Sequence, residues 1–174
     1  MDALAIRIEN LREALRMLQR CIGTAVAASL SLFLLQMTSL PQSPVPITGL
    51  VGAADPVLAK LILFAAYIAS GFVGYAAVLH IVRIARSIDD GAARTEAMNF
   101  PTIATLRDPV VAFFGILLSP LLYLISVGIQ VHASWPLDDN EPGLLLGALF
   151  FGLSPYIAVY LHLRKEVDPK PEAA

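Results

Sequence analysis

Residues 1–38 read MDALAIRIENLREALRMLQRCIGTAVAASLSLFLLQMT, and the change of character half-way along this stretch decides the fold. From Leu4 the apolar side chains fall at Leu4, Ile8, Leu11, Leu15, Leu18 and Ile22, in alternating steps of four and three that put them on one seam of a helix. Arg7, Glu9, Arg12, Glu13, Arg16 and Arg20 lie off that seam. After Arg20 no acid or base occurs until Asp55, and Cys21 to Leu35 is apolar, small or hydroxylated throughout. One unbroken helix can therefore stand in water over its first half and enter lipid with its second. Such a helix reaches roughly 55 Å, against a hydrocarbon core of about 30 Å, so the surplus stands outside the bilayer as an amphipathic arm.

Composition points the same way. The chain has 174 residues, 57% hydrophobic and 15% charged, and its mean hydropathy of +0.71 is too high for an ordinary soluble domain. The net charge of -2 is the sum of strongly segregated charges, and no nucleic-acid partner is expected. Cys21 is the one cysteine, which rules out an internal disulfide and reads as a packed thiol among small residues. The polar lead contains Asp2, Glu9 and Glu13, unlike a short basic leader, and Thr38, Ser39 and Leu40 make a poor cleavage site. The first span is therefore expected to be retained.

Further along, Pro41, Pro44, Pro46, Gly49 and Gly52 break the helix in a loop free of Lys and Arg. Asp55-Pro56 and Asp108-Pro109 each look like a helix start, the acid accepting from free backbone N–H groups and the proline taking the first helical position. Gly91 is expected as a left-handed cap after Arg83, Arg86, Asp89 and Asp90, followed by a polar connector to Asp108. Trp135 marks an interface, and Pro136 to Pro142 is an acidic turn. The expected architecture is an all-α integral membrane protein. Its four transmembrane helices, at about 21–38, 57–82, 110–131 and 143–163, form an antiparallel bundle, with an arm over 1–20 and a tail over 164–174.

Basic residues set the orientation. Arg7, Arg12, Arg16, Arg20, Arg83, Arg86, Arg94, Arg107, Arg164, Lys165 and Lys170 account for 11 of the 12, all on one side of the expected spans. Lys60 is the exception and can snorkel outward. Both ends are thus expected in the cytoplasm, the bilayer being a bacterial inner membrane.

Within the spans, Ala66, Ser70 and Gly74, with Gly71 beside them, and Gly115 are small residues that suit close helix packing. Ser119-Pro120 and Ser154-Pro155 place a proline near the middle of the third and fourth spans, where it kinks the helix and frees a carbonyl one turn back. The serine hydroxyls are expected to help satisfy the backbone, and the pair of kinks suits either packing or a gate. His80 and His162 stand near corresponding helix ends, which admits a b-type haem held by two axial imidazoles; the simpler account is a favourable contact with the helix C-terminal dipole. His132 is expected at the outer interface.

No Asp or Glu lies inside an expected span, no cysteine pair exists, and no phosphate loop, metal cluster or serine–histidine couple is present. An enzyme is not expected, nor a cofactor apart from the haem alternative. The reading in front is a scaffold, sensor or accessory subunit that contacts lipid, and contacts itself or another protein through the seam Leu4, Ile8, Leu11, Leu15 and Leu18. The alternative is an oligomeric, anion-preferring pore lined by Arg12, Arg16, Arg20, Ala27 and Ser31, which follow one another at helical spacing. Against that pore, Glu9 and Glu13 stand three residues from Arg12 and Arg16 and can neutralise part of the stripe.

Overall fold

A computed structural model describes residues 3–37, 45–46, 53–54, 56–98, 109–133 and 141–167. The chain is helical: α1 (Ala3–Met37), α2 (Pro56–Arg86), α3 (Gly91–Met98), α4 (Pro109–Ala133) and α5 (Glu141–Val167). Between α1 and α2 a two-residue antiparallel ladder pairs Val45 with Ala54 and Pro46 with Ala53. Three helices are long and apolar enough to cross a membrane, over Ala3–Gln36, Val57–Arg86 and Leu146–Leu163, and the described apolar part of α4, Gly115–Ile129, is shorter. The acid-proline starts at Asp55 and Asp108, the loop prolines Pro41 and Pro44, Trp135, the acids Asp138 and Asp139 and the tail from 168 lie outside the described residues.

α1 runs unbroken from the charged half of the first stretch into the apolar half. It pairs with α2 along its whole length. Arg7 donates to the Ser87 carbonyl at one end, Cys21 and Leu18 flank Gly74 midway, and Lys60 Nζ donates to Gln36 Oε1 at 3.2 Å near the other end. As the α1 number rises the α2 number falls, so the two form an antiparallel hairpin.

The next contact runs the other way. Tyr67 meets Gly152, Gly71 meets Pro155 and Tyr156, and Tyr75 meets His162, so α2 and α5 lie side by side and parallel. α4 packs on α1 and α5, giving the order α1, α2, α5, α4 around the core. Ile22 shares one cluster with Ile116, and Ala28 shares the next with Tyr123, so α4 rises alongside α1. Helix direction thus alternates along the chain, but neighbours in space are not antiparallel throughout, as the expected bundle has them. Two hairpins dock with like-directed helices in contact.

α2 ends at Arg86, beyond the expected span limit near Val82, and the half-buried Ile84 and buried Ala85 carry its apolar period between Arg83 and Arg86. Gly91 is not a terminal cap. Asp90 Oδ1 accepts from the backbone of Ala92 at 2.9 Å and Ala93 at 3.3 Å, so the acid caps a new helix, α3, which Gly91 begins.

Candidate functional site

The seam of α1 is filled from within the chain. Leu11, Leu15 and Leu18 are fully buried, Ile22 nearly so, and Leu4 and Ile8 half-buried. Their cluster includes Ile81 and Ala85 at the end of α2, Ile88 just beyond it, and Ala97 and Met98 of α3. This corrects the expectation that the seam awaits a second chain. The α2 extension and α3 supply the apolar surface that the leucines need, and the Arg7–Ser87 bond ties the arm to it.

The face of α1 opposite the core is the one open to contact. Its charged part is a network in which Arg16 Nη1 lies 3.1 Å from Glu13 and 3.6 Å from Glu9, and Arg12 lies 4.0 Å from Glu9. Further along, Arg20, Gly23, Thr24 and Ala27 are exposed and Ser31 is half-buried. A Cβ built on Gly23 meets nothing within 4 Å. Thr24 Oγ1 donates back to the Arg20 carbonyl at 3.0 Å, which hides its hydroxyl. Leu30 and Leu34 flank this strip towards Met37. The outward faces of the other long helices carry many large side chains, Leu58, Leu61, Phe72 and Leu79 on α2, Leu121 and Ile125 on α4, and Phe150, Phe151 and Leu161 on α5, beside the exposed Ala65, Ala69 and Ala76 of α2 and Gly128 of α4.

Inside, three tyrosines that sequence reasoning passes over hold α2, α4 and α5 together. The Tyr67 ring stacks on Tyr123 at 4.4 Å and on Tyr156 at 5.0 Å between centroids. Tyr67 donates to the Gly152 carbonyl at 2.7 Å, Tyr123 to Ala148 at 3.0 Å, and Tyr156 to Tyr67 at 2.8 Å. Each buried hydroxyl thereby has its acceptor, which burial requires. The signal available in the sequence is a tyrosine in the apolar middle of each of three spans, Tyr156 directly after a proline and Tyr123 three residues after one.

The small residues sit where rings and backbones come close. A Cβ on Gly71 would lie 2.9 Å from the Tyr156 ring and 3.2 Å from Pro155 Cβ, and one on Gly74 would lie 3.6 Å from Cys21 Cβ. Ala66 is half-buried beside the tyrosine cluster. Ser70 donates to the Ala66 carbonyl at 2.7 Å. Gly115 is half-buried on α4.

Tyr123 packs on Gly152, and because α4 and α5 run in opposite directions, Pro120 and Pro155 lie at one level of the core. The serines beside them differ from expectation. Ser154 is half-buried, and Ser119 is fully buried with no hydrogen-bond partner for its Oγ among the described residues. Near Pro155, tyrosine hydroxyls reach the α5 backbone at Gly152 and Ala148.

The two histidines do not converge. His162 Nδ1 donates to the Ala158 carbonyl at 2.9 Å, and its ring rests edge-on against Tyr75 at 5.8 Å. His80 is exposed, five residues beyond Tyr75 and, at about 100° per residue, roughly 140° around α2. The side chain of His132 lies outside the described residues. No group of three or more His, Cys, Asp or Glu with metal-binding geometry occurs among the described residues.

Compared with protein-family models, with curated proteins and with solved structures, the chain gives no match in any of the three.

Proposed function

We propose that this chain is a non-catalytic, polytopic membrane protein that acts as a scaffold or accessory subunit, associating with a second copy or another membrane protein through the outward face of α1. One observation carries the reading. The strip from Gly23 through Thr24, Ala27 and Ser31 is small or hydroxylated, with open space over Gly23, whereas the exposed alanines of α2, Ala65, Ala69 and Ala76, are interrupted by the exposed Phe72 and Val73. In lipid no hydrophobic drive brings helices together, so close backbone approach over small residues is what favours association. Large side chains are satisfied by acyl chains.

In this reading α4, with its 25 residues, is a fourth span beside α1, α2 and α5. The arginine-rich end faces the cytoplasm by the bias of Lys and Arg for that side. From Arg16 to Gln36, α1 covers roughly 30 Å, the thickness of the hydrocarbon core. Arg20 then lies about one turn inside that boundary and reaches out by snorkelling. The scaffold is preferred to a pore because the acids beside Arg12 and Arg16 offset the positive charge that an anion-selective mouth requires.

Cysteine crosslinking tests the interface. In a Cys21→Ser background, Gly23→Cys and Ala27→Cys should each give a disulfide-linked dimer in native membranes, or an adduct to a second protein. Ala25→Cys and Ala28→Cys, which point into the core, should give neither. A solubilised particle with the mass of one chain, and no crosslink at any of these positions, sinks the reading.

A further inference from the structure

The proline level of α4 holds a hydroxyl that differs from six others among the described residues. Thr24, Ser29, Ser70, Ser87, Thr95 and Ser126 all turn their hydroxyls back onto a carbonyl three or four residues earlier. That is the ordinary resting place of a helical hydroxyl. Ser119 has the best such acceptor of all, since Pro120 has no N–H to give to the Ile116 carbonyl. Yet its Oγ is fully buried and makes no bond among the described residues.

A buried hydroxyl without a partner is costly, and so is a buried carbonyl whose helical donor has been removed. Both groups stand one turn apart on the inward face of α4, with Ile116, Ser119, Tyr123 and Ser126 all buried along it. We infer that Ser119 Oγ and the Ile116 carbonyl freed by Pro120 together hold an internal water molecule. The hydroxyl can donate or accept and the carbonyl accepts, which supplies the two polar partners an internal water needs at minimum. Water is the ligand that fits, because the rest of the level is small or apolar: Ala25 of α1, Gly71 of α2 and Pro155 of α5 leave no charge to fix an ion. The water site rests on the core of a single chain and is independent of the association proposed above.

Thermal unfolding of the purified protein in detergent, read as Tm, tests the inference through a cycle of Ser119→Ala, Pro120→Ala and the double variant. If water is held, Ser119→Ala strips one of its two partners and should lower Tm by about 2–4 °C. Pro120→Ala returns an N–H to the Ile116 carbonyl, so in that background Ser119→Ala should leave Tm unchanged or raise it. A rise or no change on Ser119→Ala in the native background overturns the inference, because deleting a merely orphaned hydroxyl relieves a desolvation cost. An equal fall in both backgrounds overturns it too, since that is loss of packing. Should Pro120→Ala fail to fold, a high-resolution density map of the native protein decides. An ordered water within about 3 Å of both oxygens is expected, and a direct Ser119–Ile116 bond with no density between overturns the inference.

Discussion

Tyr67 and Tyr156 exchange roles across the contact between α2 and α5: Tyr67 donates its hydroxyl to α5 at Gly152, at 2.7 Å, and its own carbonyl receives the hydroxyl of Tyr156 at 2.8 Å. The two rings lie stacked at 5.0 Å with Tyr123 on the far side of Tyr67. Tyr67→Phe keeps the stack and removes one bond, which between membrane helices is worth about 0.6 and at most about 1.7 kcal/mol. Tyr67→Ala removes the ring as well and should cost about 3–5 kcal/mol. Unfolding in detergent should rank the wild type above Phe and Phe well above Ala. Equal losses for the two variants would show that the stack contributes nothing.

Gly152 and Gly147 lie on the same helix and should answer oppositely to alanine. A Cβ on Gly152 would press on the Tyr123 ring, with Cζ at 2.9 Å, whereas one on Gly147 meets nothing within 4 Å. Gly152→Ala should destabilise by about 1–3 kcal/mol through overpacking. Gly147→Ala should be neutral or stabilise by up to about 1 kcal/mol through helix propensity. The pair is read in one thermal-shift series, and a stabilising Gly152→Ala contradicts the close contact.

The arm of α1 is a stability element of the single chain. Leu11 is fully buried while Ile6, on the same arm, is 44% exposed. Leu11→Asp should cost at least about 3 kcal/mol, by lost packing and a buried carboxylate. Ile6→Asp should cost under about 0.5 kcal/mol. Thermal unfolding together with native mass checks both. Leu11→Asp that splits a larger particle into stable single chains would return the seam to an intermolecular role.

A reporter that matures only in the cytoplasm should be active when fused at either end of the chain and silent when inserted after Pro46 or Asp139. Activity at either inserted position breaks the four-span orientation.

The apolar run after Arg20 declares the unbroken α1, and the long apolar segments declare α2 and α5, because lipid-compatible length is a property of sequence alone. The period of Leu4, Ile8, Leu11, Leu15 and Leu18 declares that one face is covered. It cannot name the cover, since a seam filled by Ile81, Ala85 and Ile88 of the same chain has the same spacing as one filled by a second copy. Two local signals were there to be weighed: Ile84, Ala85 and Ile88 continue the α2 period through its arginines, and Asp90 precedes a helix-compatible run. The tyrosine hydroxyls were harder to foresee, because their acceptors at Gly152, Ala148 and Tyr67 are backbone carbonyls, which every residue possesses. Nor does periodicity tell whether two hairpins dock with α2 against α5, since either pairing buries the same stripe.

The bonds of Tyr67 also set a timetable. Its two α5 partners lie 85 and 89 residues further along the chain. At a synthesis rate of about 5–20 residues per second, Gly152 is added roughly 4–17 s after Tyr67. The α1–α2 hairpin, closed by Arg7–Ser87 and Lys60–Gln36, involves no residue of the later helices. Through that interval a newly inserted hairpin carries a phenol with its final acceptor still unmade. Arrival of α5 then seals it, so the order in which ribosomal output reaches the bilayer is the order in which this core becomes chemically complete.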